Sequence, residues 1–171
     1  GLVVMGRHLD GEAELEQALA AARAGSDQHL VLAVLDRCLS QAANLGGHRG
    51  GDWLRHHRDY AVEASALARL LGAHESLGWA AQARAYCAYV LGELEDLDLA
   101  LADLEGVVSA TRSTFWLWRS KLLAASRNLM KCEFATTATS LAESRRMASS
   151  FGYRWERMDG PWSLHSYLYR R

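Results

Sequence analysis

The sequence contains almost no proline: Pro161 is the only one in 171 residues. It also lacks runs that alternate apolar and polar residues and are rich in Val, Ile and Thr, the pattern expected of strands. Almost every glycine stands where a helical pattern stops. These absences leave no place for a sheet and predict an all-α protein.

An excess of either charge is also missing, since 19 basic and 20 acidic residues give a formal net charge of -1. Nucleic-acid-binding domains usually carry a basic surface, so we expect no direct nucleic-acid contact by this segment. Only Lys121 and Lys131 are lysines. Together with abundant alanine, this preference for arginine indicates a GC-rich genome such as that of an actinobacterium.

Long apolar runs are absent as well. Arg, Glu or Gln interrupts every apolar stretch before the ~20 residues that cross a bilayer, and the opening GLVVMGRHLD is too short for a signal peptide. Cys38, Cys87 and Cys132 are far apart, odd in number and set in helical patterns, which predicts reduced, buried thiols rather than disulfides. We therefore expect a cytoplasmic protein with no membrane segment.

Half of the residues are apolar, enough for one core, so we expect a single domain over residues 1–171. The sequence does not begin with Met and stops at SLHSYLYRR, within a helical pattern that has no C-cap glycine. Both features predict a fragment of a longer multidomain protein.

Caps and apolar periodicity predict about eight helices joined by short connections, which implies antiparallel neighbours. The first, fourth, fifth and seventh helices are expected over about 10–24, 75–91, 96–111 and 134–151. The second should run from a cap at Ser26 or Asp27 to the loop GGHRGG, and the third from a cap at Asp52 to Gly72. The sixth should begin at a cap at Ser113 or Thr114, and the eighth at about 159. The fourth is apolar nearly all round, so we expect it to be deeply buried.

The stretch STFWLWRSKLLAAS places three aromatic rings in four consecutive positions. On a helix, Phe115 and Trp118 share one face, whereas Trp116 lies on a second stripe about 100° away, so this helix should contact two neighbours. A shift of about 39 residues also lays the fourth and fifth helices over the sixth and seventh, with Trp79 on Trp118. Such a period is typical of helical solenoids, and we interpret the aromatic residues as packing between repeats.

Two stretches resemble known helical repeats. GWAAQARAYCAYVLGELEDLDLALADLEGV resembles a tetratricopeptide (TPR) hairpin, with Trp79 and Tyr86 in the first helix and Ala100 in the second, although both helices exceed the consensus length. We therefore describe it as TPR-like.

More specifically, WLWRSKLLAASRNLMKCEFATTATSLAESRRMASSFG and GPWSLHSYLYRR are similar to the helical repeats of large actinobacterial regulators. Those proteins carry an AAA-type ATPase before the repeats, with a LuxR-type DNA-binding domain after them or a nucleotide cyclase domain before the ATPase. The counterparts here are Trp118, Phe134 with Thr137, and residues 168–171, and the resemblance covers about residues 75–171. It implies a non-catalytic sensor or scaffold without a cofactor, which receives an inducer or partner protein and restrains the ATPase.

Solenoids bind ligands on their concave surface, where aromatic and arginine side chains contribute binding energy. We predict that Trp79, Trp116 and Trp118 are core residues, and that the rings of Trp53, Trp155 and Trp162 could line the concave surface. The predicted ligand-facing set is Gln82, Arg84, Tyr86, Trp118 and Arg119. Alternatively, these polar groups satisfy one another inside the core.

The densest polar and aromatic patch is WLRHHRDYAVE. His56, Asp59 and Glu63 could share a helix face and approach a metal ion, because His and carboxylate at helical spacing are suitable ligands. No second helix offers an HxxxH or ExxH pattern, so a solvated charged face is the stronger interpretation. The loop GGHRGG lacks the Lys-Ser/Thr ending of a phosphate-binding loop.

Three functions follow in order of preference. The first is a non-catalytic interaction or sensor module of a multidomain regulator, with a protein partner or other domains of its parent chain. The second is a receptor that holds a small-molecule inducer in the solenoid. The third is a helical-bundle, metal-dependent enzyme that uses His56, His57, Asp59 and Glu63.

Overall fold

The computed structural model describes residues 8–45 and 50–150, with side chains for 11–40 and 50–150. Within these ranges the chain forms seven helices and no strand, which confirms the all-α prediction. The helices are α1 (His8–Ala24), α2 (Gln28–Leu45), α3 (Gly51–Leu71), α4 (His74–Leu91), α5 (Leu94–Thr111), α6 (Thr114–Met130) and α7 (Phe134–Ser150). The predicted eighth helix lies outside the described residues.

Helices that are consecutive in the chain pack as hairpins, and α4 also contacts α2 and α6. Side-chain hydrogen bonds join these alternate helices: Ser76 donates to Asp36 over 2.6 Å, and the Trp116 indole donates to Glu75 over 2.9 Å. The partners are 40 and 41 residues apart in sequence. This packing of helical hairpins is consistent with an α-solenoid, while the repeat period itself stays a prediction.

Two of the predicted N-caps are present. Asp27 caps α2, since its Oδ1 accepts hydrogen bonds from the backbone N–H groups of His29 and Leu30 at 3.0 and 3.2 Å. Ser113 caps α6 by accepting from the backbone N–H of Trp116. The prediction for α3 was wrong: this helix begins after Gly50, so Asp52 lies inside the first turn, where its carboxylate bonds Arg55 at 2.6 Å.

Glycine ends α3 and α4 as the sequence predicts. Gly72 and Gly92 adopt left-handed backbone angles, with φ of 67° and 78°. The residue after each glycine donates its backbone N–H to a carbonyl of the preceding helix. Ala73 donates to Ala68 at 2.8 Å, and Glu93 donates to Ala88 at 2.9 Å. Glycine adopts this conformation without the steric cost of a Cβ, so each turn is tight and the next helix runs back.

The fourth helix is the centre of the described fold, as its apolar composition predicts. It packs against α2, α3, α5 and α6. Its neighbours can approach closely because its buried face is built mostly from small side chains, which are Gly78, Ala80, Ala81, Ala83, Ala85 and Ala88. Deep burial of this helix is confirmed.

The aromatic stretch of α6 packs between helices. The rings of Trp116 and Trp118 are fully buried, and α6 contacts α4, α5 and α7. The half-buried Trp79 of α4 lies edge to face with Trp116 at a centroid distance of 5.1 Å and lies 5.7 Å from Phe115. These aromatic residues therefore pack between helices, while their interpretation as packing between repeats stays a prediction.

Two of the three cysteines are buried, as predicted. Burial raises the pKa of the Cys38 thiol to about 11 and that of the Cys87 thiol to about 12. Cys132 is exposed, contrary to the prediction, because α6 ends at Met130 and this residue occupies the turn to α7 with a φ of 60°. Among the described residues, no helix is both long and apolar enough to span a membrane.

Candidate functional site

A cavity of about 260 Å³, which we call the α1–α3 cavity, is lined by residues of the first three helices. The α3 side consists of Trp53, His56, His57 and Tyr60. Their spacing of three and four residues places them on one helix face. The polar and aromatic patch of the sequence is therefore one wall of a cavity.

The opposite wall comes from α1, which contributes Glu12, Ala13, Leu15 and Glu16. Cys38 of α2 also lines the cavity. The two glutamates are four residues apart, so they lie one helical turn apart on the same face of α1.

Glu16 connects the two walls. Its Oε2 accepts a hydrogen bond from the Tyr60 hydroxyl at 2.5 Å, and its Oε1 lies 3.1 Å from Nε2 of His56. Burial alone would raise the pKa of Glu16, but the hydrogen bonds from Tyr60 and His56 outweigh burial and lower it. Glu16 is therefore a carboxylate at neutral pH. Burial, together with this carboxylate, raises the pKa of Tyr60, which stays a hydrogen-bond donor.

The rings on α3 contact one another. The indole of Trp53 and the imidazole of His57 are nearly parallel, with centroids 3.7 Å apart, and the rings of His56 and Tyr60 lie 4.3 Å apart. Nδ1 of His57 lies 3.1 Å from the carbonyl oxygen of Trp53. Since a carbonyl oxygen only accepts, Nδ1 carries the proton of this bond. These contacts fix the aromatic wall.

The cavity is acidic over its described lining. Glu12 and Glu16 line it, and among the described side chains no Arg or Lys does. Arg23 lies nearby, 5.9 Å above the centroid of the Tyr60 ring, and its guanidinium pairs with Glu63 at 2.5 Å. This cation is thus engaged with Glu63, and it does not line the cavity.

The size and lining of the cavity suit a small ligand. Its volume exceeds the ~10–15 Å³ that one water molecule needs and falls just below the ~300–1,000 Å³ of typical ligand sites. Apolar surfaces from Leu15, Trp53 and Tyr60 alternate with carboxylate and imidazole groups. Cys38 is not an activated nucleophile, because burial raises the pKa of its thiol to about 11. The lining can bind and orient a molecule.

The residues considered for a metal site have separate partners. His56 bonds Glu16, Asp59 lies 3.5 Å from Arg58, and Glu63 pairs with Arg23. Within the side chains described for 11–40 and 50–150, no three His, Cys, Asp or Glu residues are grouped to hold a metal ion.

The residues predicted to face a ligand are largely packed inside the fold. Gln82 and Tyr86 of α4, and Trp118 and Arg119 of α6, are buried. The Arg119 guanidinium lies 4.6 Å from the centroid of the Trp118 ring, while Arg84 pairs with Asp96 of α5.

These five side chains therefore present little surface to a ligand in this arrangement. The sequence analysis had also considered that such polar groups satisfy one another in the core, and the Arg84 pair fits that alternative. Their role in ligand binding stays a prediction.

Sequence reasoning singled out the patch that forms one wall of the cavity, although it favoured a solvated charged face there, and it missed the other wall. Trp53 was expected to line a ligand surface, and it lines the cavity. Glu12 and Glu16 were missed, because nothing within the sequence of α1 indicates that they face α3. Trp155 and Trp162, which were grouped with Trp53, lie outside the described residues.

Comparisons of the chain with protein-family models, with curated proteins and with solved structures give no match.

Proposed function

We propose that this chain is a non-catalytic sensor module that binds a small molecule in the α1–α3 cavity. The observation that carries the proposal is the cavity itself, with a fixed aromatic wall facing two carboxylates. A pocket with a mainly apolar lining and a few placed polar groups is the usual form of a small-molecule site. The geometry favours the receptor function over the others derived from the sequence.

The proposal includes the context that the sequence resemblance implies. The module belongs to a large cytoplasmic regulator of actinobacterial type that contains an ATPase, and ligand binding to the repeats controls that ATPase. The all-α fold and the nearly balanced charge support this role.

A thermal-shift screen of the chain against sugars, nucleotides, amino acids and short acyl or amine compounds tests the proposal. A ligand at 100 times its dissociation constant adds ~2.7 kcal/mol, which is several degrees for a domain of this size. The key variant is Ala13→Leu, because Ala13 is an exposed residue that lines the cavity and a larger side chain there occupies the ligand's space.

The matched control is Ala20→Leu, since Ala20 is another exposed alanine of α1 that does not line the cavity. We expect a ligand that shifts the wild type and Ala20→Leu but not Ala13→Leu. A ligand that shifts all three proteins equally binds elsewhere, and a screen without any hit on a cooperatively melting protein contradicts the proposal.

A protein-interaction module is the second candidate, because the resemblance to the repeats of large regulators implies a protein partner. Leu70, Leu99 and Phe134 are 68%, 57% and 61% exposed. Large apolar side chains on a surface can mark contact sites when they form a patch. A binding assay against the other domains of the parent chain tests this function, with Leu70→Ser and Phe134→Ser expected to weaken the interaction and Ala20→Ser as the control.

A further inference from the structure

We infer that the ligand of the α1–α3 cavity is a small organic cation, an ammonium compound held by the carboxylates of Glu12 and Glu16 against the rings of Trp53 and Tyr60. This inference rests on the proposed function and names the chemical class of its ligand.

The first argument is charge. Two carboxylates face the cavity from successive turns of α1, and the facing wall carries imidazole, phenol and indole groups but no Arg or Lys. Carboxylates repel an anionic ligand and attract a cation. Hydrogen bonds from Tyr60 and His56 keep Glu16 ionised by lowering its pKa against the effect of burial. The cavity is therefore matched to a positive ligand.

The second argument is the aromatic wall. Indole and phenol rings attract cations to their faces, Trp most strongly. The fold already uses this attraction at the edge of the site, where the Arg23 guanidinium lies over the Tyr60 ring. Trp53 is held in place by its stack with His57 and remains half-buried, so its indole is preorganised. A cation in the cavity meets both a carboxylate and an aromatic surface.

The third argument is ligand size and kind. A cavity of about 260 Å³ has room for a compound of several non-hydrogen atoms, which is the size of a small ammonium compound. Among the described side chains, no group of His, Cys, Asp and Glu is arranged to hold a metal ion. An organic ammonium ion needs no coordination sphere, because it binds through charge and ring contacts.

The experiment is a calorimetric titration of the full chain with two matched probes. Choline carries a trimethylammonium group, and 3,3-dimethylbutan-1-ol is its neutral carbon isostere of nearly the same shape. We expect choline to bind and the neutral alcohol to bind at least tenfold more weakly. We also expect added salt to weaken choline binding, since salt screens partly exposed charges.

Variants separate the roles of the two carboxylates. Glu12→Gln and Glu16→Gln each remove one charge at nearly constant shape, and we expect each to weaken choline binding roughly ten- to hundredfold. Glu14→Gln is the control, because Glu14 is an exposed glutamate of α1 that does not line the cavity. Glu16 also bonds Tyr60, so circular dichroism must show that Glu16→Gln is folded. Glu12→Gln tests the charge independently.

The outcomes distinguish this inference from the function on which it rests. If the neutral isostere binds as tightly as choline, and Ala13→Leu blocks both probes, the cavity is a ligand site but the preference for a cation is refuted. The same conclusion follows if choline fails at millimolar concentration while a neutral or anionic compound shifts the wild type and not Ala13→Leu. If no compound binds in an Ala13-dependent way, the proposed function fails together with this inference.

Discussion

Substitution of Gly78 by alanine should destabilise the protein, although alanine is the better helix former. Gly78 lies inside α4 at the point where α6 crosses it. A Cβ built on this residue would lie 2.5 Å from Cζ2 and 2.6 Å from Cε2 of the Trp116 ring. Real Cβ atoms do not approach other heavy atoms so closely, so the ring or the helix must move.

Two opposing terms set the magnitude. Replacing a glycine inside a helix by alanine gains ~1 kcal/mol. Forcing an extra methyl group into a packed core costs ~1–3 kcal/mol, and the upper part of that range applies here for two reasons. Trp116 is completely buried, and its indole N–H is fixed by a hydrogen bond to Glu75 at 2.9 Å. We expect a net loss of ~1–2 kcal/mol.

Gly106→Ala is the matched control, because Gly106 also lies inside a helix, is exposed, and has no heavy atom within 4 Å of a built Cβ. It should raise stability by ~0.5–1 kcal/mol. Urea unfolding followed by circular dichroism measures both variants, and the loss at Gly78 corresponds to a Tm decrease of ~2–8 °C. If Gly78→Ala were as stabilising as Gly106→Ala, the close packing of α4 and α6 around this glycine would be refuted.

Three further predictions concern a cap, a thiol and an ion pair. Asp27→Ala removes the cap of α2 and should lower the free energy of unfolding by ~1 kcal/mol, which thermal melts can measure. The exposed Cys132 should react at once with a thiol reagent at neutral pH, and the two buried thiols only after urea is added, as absorbance will show. A hydrogen bond from Arg127 lowers the pKa of Asp98 from its ordinary value of 3.8. The ion pair therefore stabilises the folded protein above pH 3.8, and this stabilisation is lost as the pH falls through the lowered pKa. Because this pair is largely solvated, Asp98→Asn should cost only ~0.2–1 kcal/mol at pH 7, and progressively less as the pH is lowered below 3.8, as urea unfolding at a series of pH values will show.

Features set by local sequence were predictable. The glycines at 72 and 92 end helices because their backbone angles suit few other residues, and Asp27 and Ser113 start helices because their side chains accept backbone N–H bonds. The burial of α4 followed from its composition, since a helix that is apolar all round needs neighbours on several sides. Each of these depends on residues within one or two turns of chain.

Features set by the placement of distant helices were not predictable. The cavity depends on Glu16 meeting Tyr60, which is 44 residues away, and no periodicity within α1 indicates that meeting. Aromatic and arginine side chains contribute much of the energy at binding surfaces, which favoured a ligand-facing position for Arg119. Its planar guanidinium packs over the ring of Trp118, where the two together are buried. Residue type alone does not separate a ligand contact from such a stack.

The position of the cavity fits the demands on a sensor. Two side-chain hydrogen bonds join α1 to α3 across or beside the cavity: Tyr60 donates to Glu16, and Arg23 donates to Glu63. Each such bond contributes only ~0.5–1.5 kcal/mol net. A ligand at 100 times its dissociation constant contributes ~2.7 kcal/mol, more than one of these bonds. Binding there can therefore change how firmly α1 is held, while the apolar contacts of α4 with α5 and α6 keep the rest of the fold intact. A site placed within the core around α4 would have to work against many more contacts for the same effect.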